Sequence, residues 1–228
     1  MTLEEMTREA KRMWKAGEIT KRDSNFLDSV VEERIIKDKG KKLYSEWMSR
    51  SANKSSDPEK IIAFHDFCFN KVNIPKTAEI LDVGVRDGMG LKLLSNRGFS
   101  KLHGIELCNV EMKVDLPLKI KSGDIHNTDY DSESFDAIFC REVLEHCYDP
   151  KLVLKELYRT LKPDGVVFMS LPSQIAVSWH NCKRITIESF INNVHEVGFI
   201  FSWIEMEEKK ILTNEVTSTN IQTILRKF

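Results

Sequence analysis

The sequence predicts an α/β fold: seven short strands in one mostly parallel sheet, with helices on both faces and a helical extension ahead of them. Two observations carry this. From Ala78 onward, short apolar runs alternate with helix-length amphipathic stretches, the pattern of strand–helix–strand units. One run, Ala78-Glu-Ile-Leu-Asp82, gives way to a loop with glycines at 84, 88 and 90, which is how a buried strand passes into a helix over a ligand. Residues 1–57 are assigned to the helical extension or lid and 58–228 to the main domain.

Length and charge narrow the class further. A chain of 228 residues suits one domain with a large core. Its 34 Lys and Arg against 35 Asp and Glu argue against a dedicated nucleic-acid surface, leaving only a local patch open. No apolar run approaches a membrane span, and the start Met1-Thr-Leu-Glu-Glu5 lacks a signal-peptide layout, so a cytoplasmic location is expected. Cys68, Cys108, Cys140, Cys147 and Cys182 are odd in number and never spaced C-x-x-C. That suggests neither a disulfide framework nor a zinc knuckle.

The extension shows helical spacing at Leu3, Met6, Met13 and Trp14, then at Phe26, Leu27, Val30, Val31, Ile35 and Ile36. The basic run around Lys37 to Lys42 includes Asp38 and reads as a solvated helix end. Ser56 or Asp57 ahead of Pro58 predicts a helix start, and the helix runs to about Val72. Its stripe of Ile61, Ile62, Phe64, Phe67, Cys68 and Phe69 is expected on the sheet, with His65 and Asp66 on the surface.

The glycine loop then leads into a helix, Met89 to Arg97, whose free N–H groups point back at it. A dinucleotide fingerprint requires G-x-G-x-x-G. The spacing here is G-x-x-x-G-x-G, with Arg86 where a second glycine belongs, so the fingerprint fails. Asp82 at the strand end would repel a phosphate and suits a cationic ligand. With that aspartate, Ala78 to Gly90 resembles motif I of the class I S-adenosylmethionine-dependent methyltransferases.

The later segments follow in order. Lys101 to Leu107 reads as a strand ending in Glu106, about twenty residues past the loop, where a carboxylate can accept from both ribose hydroxyls. Lys119 to Ile125 supplies a strand and a Gly-Asp turn, and Phe135 to Cys140 a fourth strand. Asp149-Pro150 starts a helix from Lys151 to Leu161 with apolar face Leu152, Val153, Leu157 and Leu161. Lys162-Pro-Asp-Gly165 turns into a strand over 166–171. Thr186-Ile-Glu-Ser189 opens a helix that leaves at Gly198, and strands over 199–204 and 220–225 close the chain.

The run from Phe135 to Pro172 resembles the F-D-x-[IV]…V-L-E-H-[VC]-x-D-P…L-K-P-G-G…P segment of small-molecule class I methyltransferases, the type 11-like group, with Asp164 replacing one glycine. The resemblance implies a Rossmann-like order with the last two strands antiparallel. It also implies S-adenosyl-L-methionine as cofactor and S-adenosyl-L-homocysteine as product. The resemblance further implies the following roles, beginning with Asp82 near the methionine ammonium. Gly84, Val85, Arg86, Asp87 and Gly88 shape the floor; Glu106 and Leu107 meet the ribose; Asp124 and Ile125 meet the adenine; Cys140 and Arg141 border the methyl.

Methyl transfer from a sulfonium is an in-line displacement, so the protein has mainly to align, desolvate and take up a proton. His146 and His180 are the candidate bases, both following strands at the carboxyl edge. Glu142, Glu145 and His146 also match an E-x-x-E-H pattern that resembles a divalent-metal site in ubiquinone-pathway and small-RNA methyltransferases. It is common in relatives without metal, and none is assigned. The expected acceptor is a small polar molecule, a sugar or biosynthetic intermediate, methylated on O or N. An RNA or protein acceptor, or a non-catalytic partner subunit on the same fold, are the alternatives.

Overall fold

A computed structural model describes residue 12 and residues 56–107, 119–173, 185–210 and 217–227. Apart from Arg12 and the last two residues, the expected N-terminal extension lies outside them, as do His180, Cys108 and Cys182.

Helix α1 spans Pro58–Lys71, and Asp57 is its cap, accepting from the N–H groups of Glu59 and Lys60 at 3.2 and 3.5 Å. Strand β1 (Glu79–Val83) leads through the glycine loop into α2 (Met89–Asn96). Then come β2 (Lys101–Glu106), β3 (Lys119–Ser122), β4 (Phe135–Arg141), a one-turn 3₁₀ helix (Leu144–His146), α3 (Pro150–Thr160), β5 (Leu161–Ser173), α4 (Ile187–Val197), β6 (Ile200–Lys210) and β7 (Thr217–Arg226). The strand order is β3-β2-β1-β4-β5-β7-β6, parallel up to β5. β7 is antiparallel to both β5 and β6.

Alternate residues of each central strand enter two cores, as the period of a strand requires. Ile80, Ala137, Phe139 and Phe168 pack with Phe64 and Cys68 of α1 and Leu91 and Leu94 of α2. Leu81, Val83, Ile138 and Cys140 pack on the other face with Leu154 and Leu157 of α3 and Phe190 and Val194 of α4. A sheet covered on both sides explains why these strands read as near-continuous apolar runs.

Two helix faces differ from expectation. Ile62 and Leu152 are exposed, while His65 is buried and Leu154 fully so. In α1 the buried set is Ile61, Phe64, His65 and Cys68, a strict i, i+3, i+4, i+7 stripe in which the polar residue takes an inward position. Thr186 caps α4 as expected from the sequence: its Oγ1 accepts from Ser189 N–H at 3.0 Å, and Ser189 Oγ donates back to the Thr186 carbonyl.

The strand expected from Val166 begins earlier, because Leu161 already pairs with Phe135. Residues 162–165 then loop out before Val166 pairs with Ala137. Asp164 takes φ +60°, a left-handed conformation that aspartate tolerates better than most side chains. Lys227 closes the excursion. Its carbonyl accepts from Asp164 N–H at 3.0 Å and its Nζ donates to the Leu161 carbonyl at 2.8 Å.

Candidate active site

The register places the ends of four adjacent parallel strands together. Asp82 lies opposite Gly104 of β2 and Phe139 of β4, two residues before Glu106 and Arg141. Gly123 N–H donates to the Glu106 carbonyl at 2.9 Å, so the Gly123-Asp124 turn continues the same edge past β3. Ligands of open parallel sheets bind at this carboxyl edge, where the strand order reverses. Here that point lies between β1 and β4.

The glycine loop is held from below. Gly84 and Val85 donate to the Ile105 carbonyl at 2.9 and 3.5 Å, and Gly88 donates to the Val85 carbonyl at 2.9 Å. Gly88, at φ +82°, turns the chain into α2. Arg86 keeps a glycine-like backbone at φ +48°, and its N–H donates to Glu106 Oε2 at 2.9 Å. That bond to a buried carboxylate compensates a conformation costing about 1–2 kcal/mol for an L residue. Asp87 turns inward, where it is buried and accepts from Ser56 and Met89 N–H at 2.9 and 3.4 Å. It ties the segment before α1 to the start of α2.

A cleft of about 370 Å³, including its open mouth, sits above Asp82. The main-domain loop supplies Gly84, Val85 and Arg86; α1 supplies Ile61, Phe64 and His65; β4 supplies Phe139 and Arg141. Asp82 projects to the α1/α2 side of the sheet. A Cβ placed on Gly90 would come within 2.5 Å of its Oδ2, so the third glycine exists to make room for that carboxyl. Burial raises the Asp82 pKa from 3.8 to about 7; the Arg141 guanidinium opposes this and the Glu106 carboxylate adds to it.

The other expected residues divide into those facing the edge and those spent on packing. Glu106 Oε1 accepts from Leu107 N–H at 2.9 Å while Oε2 holds Arg86, and a carboxylate oxygen has room for a second donor. Asp124 Oδ1 accepts from His126 N–H at 3.0 Å and lies 2.5 Å from His126 Nδ1. Burial raises the Asp124 pKa, but these bonds from His126 outweigh it and hold the carboxyl below its ordinary value. His126 in turn stacks on Tyr148, ring centroids 3.6 Å apart, and its Nε2 accepts from Asp149 N–H at 3.3 Å. Since Nε2 accepts, the proton on this imidazole is on Nδ1, directed at Asp124. Ile125 and the Cys140 side chain are packed in the core, and burial pushes the Cys140 thiol far up. Only the backbone of Cys140 remains to meet a ligand.

His146 follows β4 on the short helix, its Nε2 3.8 Å from Glu145 Oε1. Burial, then the neighbouring Glu142, raise the Glu145 carboxyl well above its usual range. Ser170 Oγ donates to Glu142 at 3.3 Å. Among the described residues no group of three or more His, Cys, Asp and Glu side chains is arranged to share an ion. Nor is any helix among them long and apolar enough to cross a membrane. Sequence reasoning missed His65, His126, Tyr148 and Ser56. The helical phase of α1 carried the signal for the first.

This set of acceptors suits a ligand with three spaced groups of hydrogen-bond donors. Carboxyls at three neighbouring strand tips can meet an ammonium, a ribose diol and an adenine amino group, and glycines clear the space between. Fold and site thus define an open α/β sheet with three acids set along its carboxyl edge. A family model described as a methyltransferase domain matches residues 81–169. Over that stretch, from β1 into β5, the chain is similar to the methyltransferase-domain family.

Among curated proteins, it is 27% identical over 164 residues to the ubiquinone biosynthesis O-methyltransferase of Idiomarina loihiensis, covering 58% of this chain and 67% of that one. It is 32% identical over 109 residues to the malonyl-[acyl-carrier protein] O-methyltransferase of a Marinomonas species, covering 42% and 38%. The chain thus spans two thirds of one relative and well under half of the other. Among solved structures, phosphoethanolamine N-methyltransferase 2 of Haemonchus contortus, in complex with S-adenosylhomocysteine, superposes with TM-score 0.62 at 16% identity over 74% of this chain and 52% of that one. The [4+2]-cyclase SpnF gives 0.63 at 14% over 77% and 84%. These two likenesses are of fold.

Proposed function

We propose that the protein methylates a small polar acceptor, a sugar or biosynthetic intermediate, on oxygen or nitrogen, holding S-adenosylmethionine along the carboxyl edge of β1, β2 and β3. The convergence of Asp82, Glu106 and Asp124 around the glycine loop carries this reading. The cofactor supplies an electrophilic methyl on a positively charged sulfur. The residues then divide the work. Asp82 offers a carboxyl that a cationic ligand would ionise; Glu106 orients the ribose from a backbone-braced position; Asp124, aimed by His126, takes the adenine amino group. Arg141 and the backbone of Cys140 border the reacting centre. His146, beside the same edge, is the proposed acceptor of the proton released as the new bond forms. The two O-methyltransferase relatives favour oxygen as the acceptor atom, and both are named for small or carrier-bound substrates.

Isothermal calorimetry with S-adenosylhomocysteine tests the assignment. Binding is expected in the wild type, and Glu106→Gln is expected to weaken it ten- to a hundredfold, about the worth of charged hydrogen bonds. No heat with the wild type, or no effect of the substitution, would refute the reading.

A further inference from the structure

The cleft over Asp82 contains a polar group that the assignments above leave unused. His65 enters it from α1 and is 98% shielded from solvent. Aromatic rings surround it: Phe139 lies 5.3 Å, Phe69 6.1 Å and Phe64 6.4 Å away between centroids. Its Nδ1 is buried without a hydrogen-bond partner. An unpaired buried nitrogen destabilises the protein that carries it, and a phenyl ring would fill the same aromatic cage without that penalty. Packing therefore does not explain a histidine here.

We propose that His65 is a cofactor-binding residue, whose imidazole hydrogen-bonds the amino-acid end of S-adenosylmethionine and is satisfied only when the cleft is filled. This rests on the methyltransferase reading and extends it to a residue outside the recognised motifs. Position selects the amino-acid end. His65 packs on Phe139 of β4 and shares the cleft with Asp82 of β1, whereas the groups for ribose and adenine sit over β2 and β3 on the other side of Asp82. The same cleft offers Asp82 to an α-ammonium and Arg141 to an α-carboxylate. Burial, with Arg97 and Arg141 adding to it, lowers the His65 pKa to about 4, so the imidazole is neutral and does not compete with the ligand's ammonium for Asp82.

Two ligands that differ only at that end make the test. S-adenosylhomocysteine carries the amino acid; 5′-methylthioadenosine has the same nucleoside and a thioether without it. With His65→Phe, calorimetry should show S-adenosylhomocysteine weakened about tenfold and methylthioadenosine unchanged within about twofold. The melting temperature of the ligand-free variant should be no lower than that of the wild type. Unchanged affinity for S-adenosylhomocysteine, or an equal loss for both ligands, overturns the proposal and leaves the methyltransferase reading standing. A wild type that binds neither nucleoside overturns both. Should His65→Phe not fold, His65→Leu carries the same comparison, and His65→Gln, which keeps a polar atom, should regain part of the lost affinity.

Discussion

Asp82 shows how one residue links folding to binding. In the ligand-free protein its carboxyl is protonated up to about pH 7, while in the unfolded chain it ionises near pH 4. The folded state therefore binds the extra proton between these values, and Asp82 lowers stability progressively as pH rises from about 4 to about 7. A cationic ligand reverses the preference. Asp82→Asn should accordingly melt higher than the wild type at pH 8, with the gap closing toward pH 4, yet bind S-adenosylhomocysteine more weakly. Wild-type affinity should rise as pH passes through about 7. A scan of melting temperature and calorimetric affinity from pH 5 to 8.5 checks both signs, and parallel curves for the two proteins would show that Asp82 ionises normally. The strand-tip acids and the glycines were legible in the sequence because main-chain geometry dictates them: Gly90 must leave room for Asp82, and no side chain can. The partners of those acids were not. His126 reads as an ordinary loop histidine until its ring is seen directed at Asp124 and stacked on Tyr148, 22 positions further on. His65 was hidden by its polarity, since a pattern reading sends a histidine beside an aspartate to the surface.

At the scale of elements, the Asp124 end of the carboxyl edge depends on how the segment after β3 is fixed to α3. Glu156 does this from the buried face of the helix. Its Oε1 accepts from Thr128 N–H at 2.8 Å, Thr128 Oγ1 at 2.6 Å and Arg159 at 2.7 Å, and Oε2 accepts from Arg159 Nε at 2.9 Å. Arg159 reaches on to the Tyr130 carbonyl at 2.8 Å. Burial alone would raise the Glu156 pKa, but these donors outweigh it and lower it. Glu156→Ala strands the Thr128 donors and the guanidinium, at a cost of about 2–3 kcal/mol. That corresponds to a melting temperature lower by roughly 4–12 °C in a domain of this size. Because the native carboxylate is the stabilised form, its contribution is present above about pH 4 and lost as pH falls through the depressed native value. The difference between variant and wild type should thus shrink in acid; a difference constant down to pH 3 would place the stabilisation elsewhere. Helix boundaries were readable here because capping chemistry is local: Asp57, Asp149 and Thr186 each accept from N–H groups two or three residues on. The outlooping of residues 162–165 was not, since it depends on Lys227 at the far end of the chain.

For the whole molecule, strand order matters more than any single contact. The order β3-β2-β1-β4-β5-β7-β6 sets the switch point beside β1, so three acids from segments distant in sequence become neighbours. Alternation of strands and helices predicted the parallel part; the antiparallel pairing of the last two strands came only through resemblance, and it does not state which edge they join, so the insertion of β7 between β5 and β6 is seen only in the structure. Fold alone leaves the chemistry open, as likeness to both an N-methyltransferase and a [4+2]-cyclase illustrates. A bound nucleoside would instead stabilise the entire domain by mass action, since only the assembled edge can hold it. At a hundred times its dissociation constant S-adenosylhomocysteine adds about 2.7 kcal/mol, which in a chain of this length raises the melting temperature by roughly 5–10 °C. Methylthioadenosine, engaging Glu106 and Asp124 but not the cleft over Asp82, should need a higher concentration for the same shift. A non-catalytic partner subunit that had lost the site would show no shift with either, and thermal melts across a titration of both ligands separate the two cases.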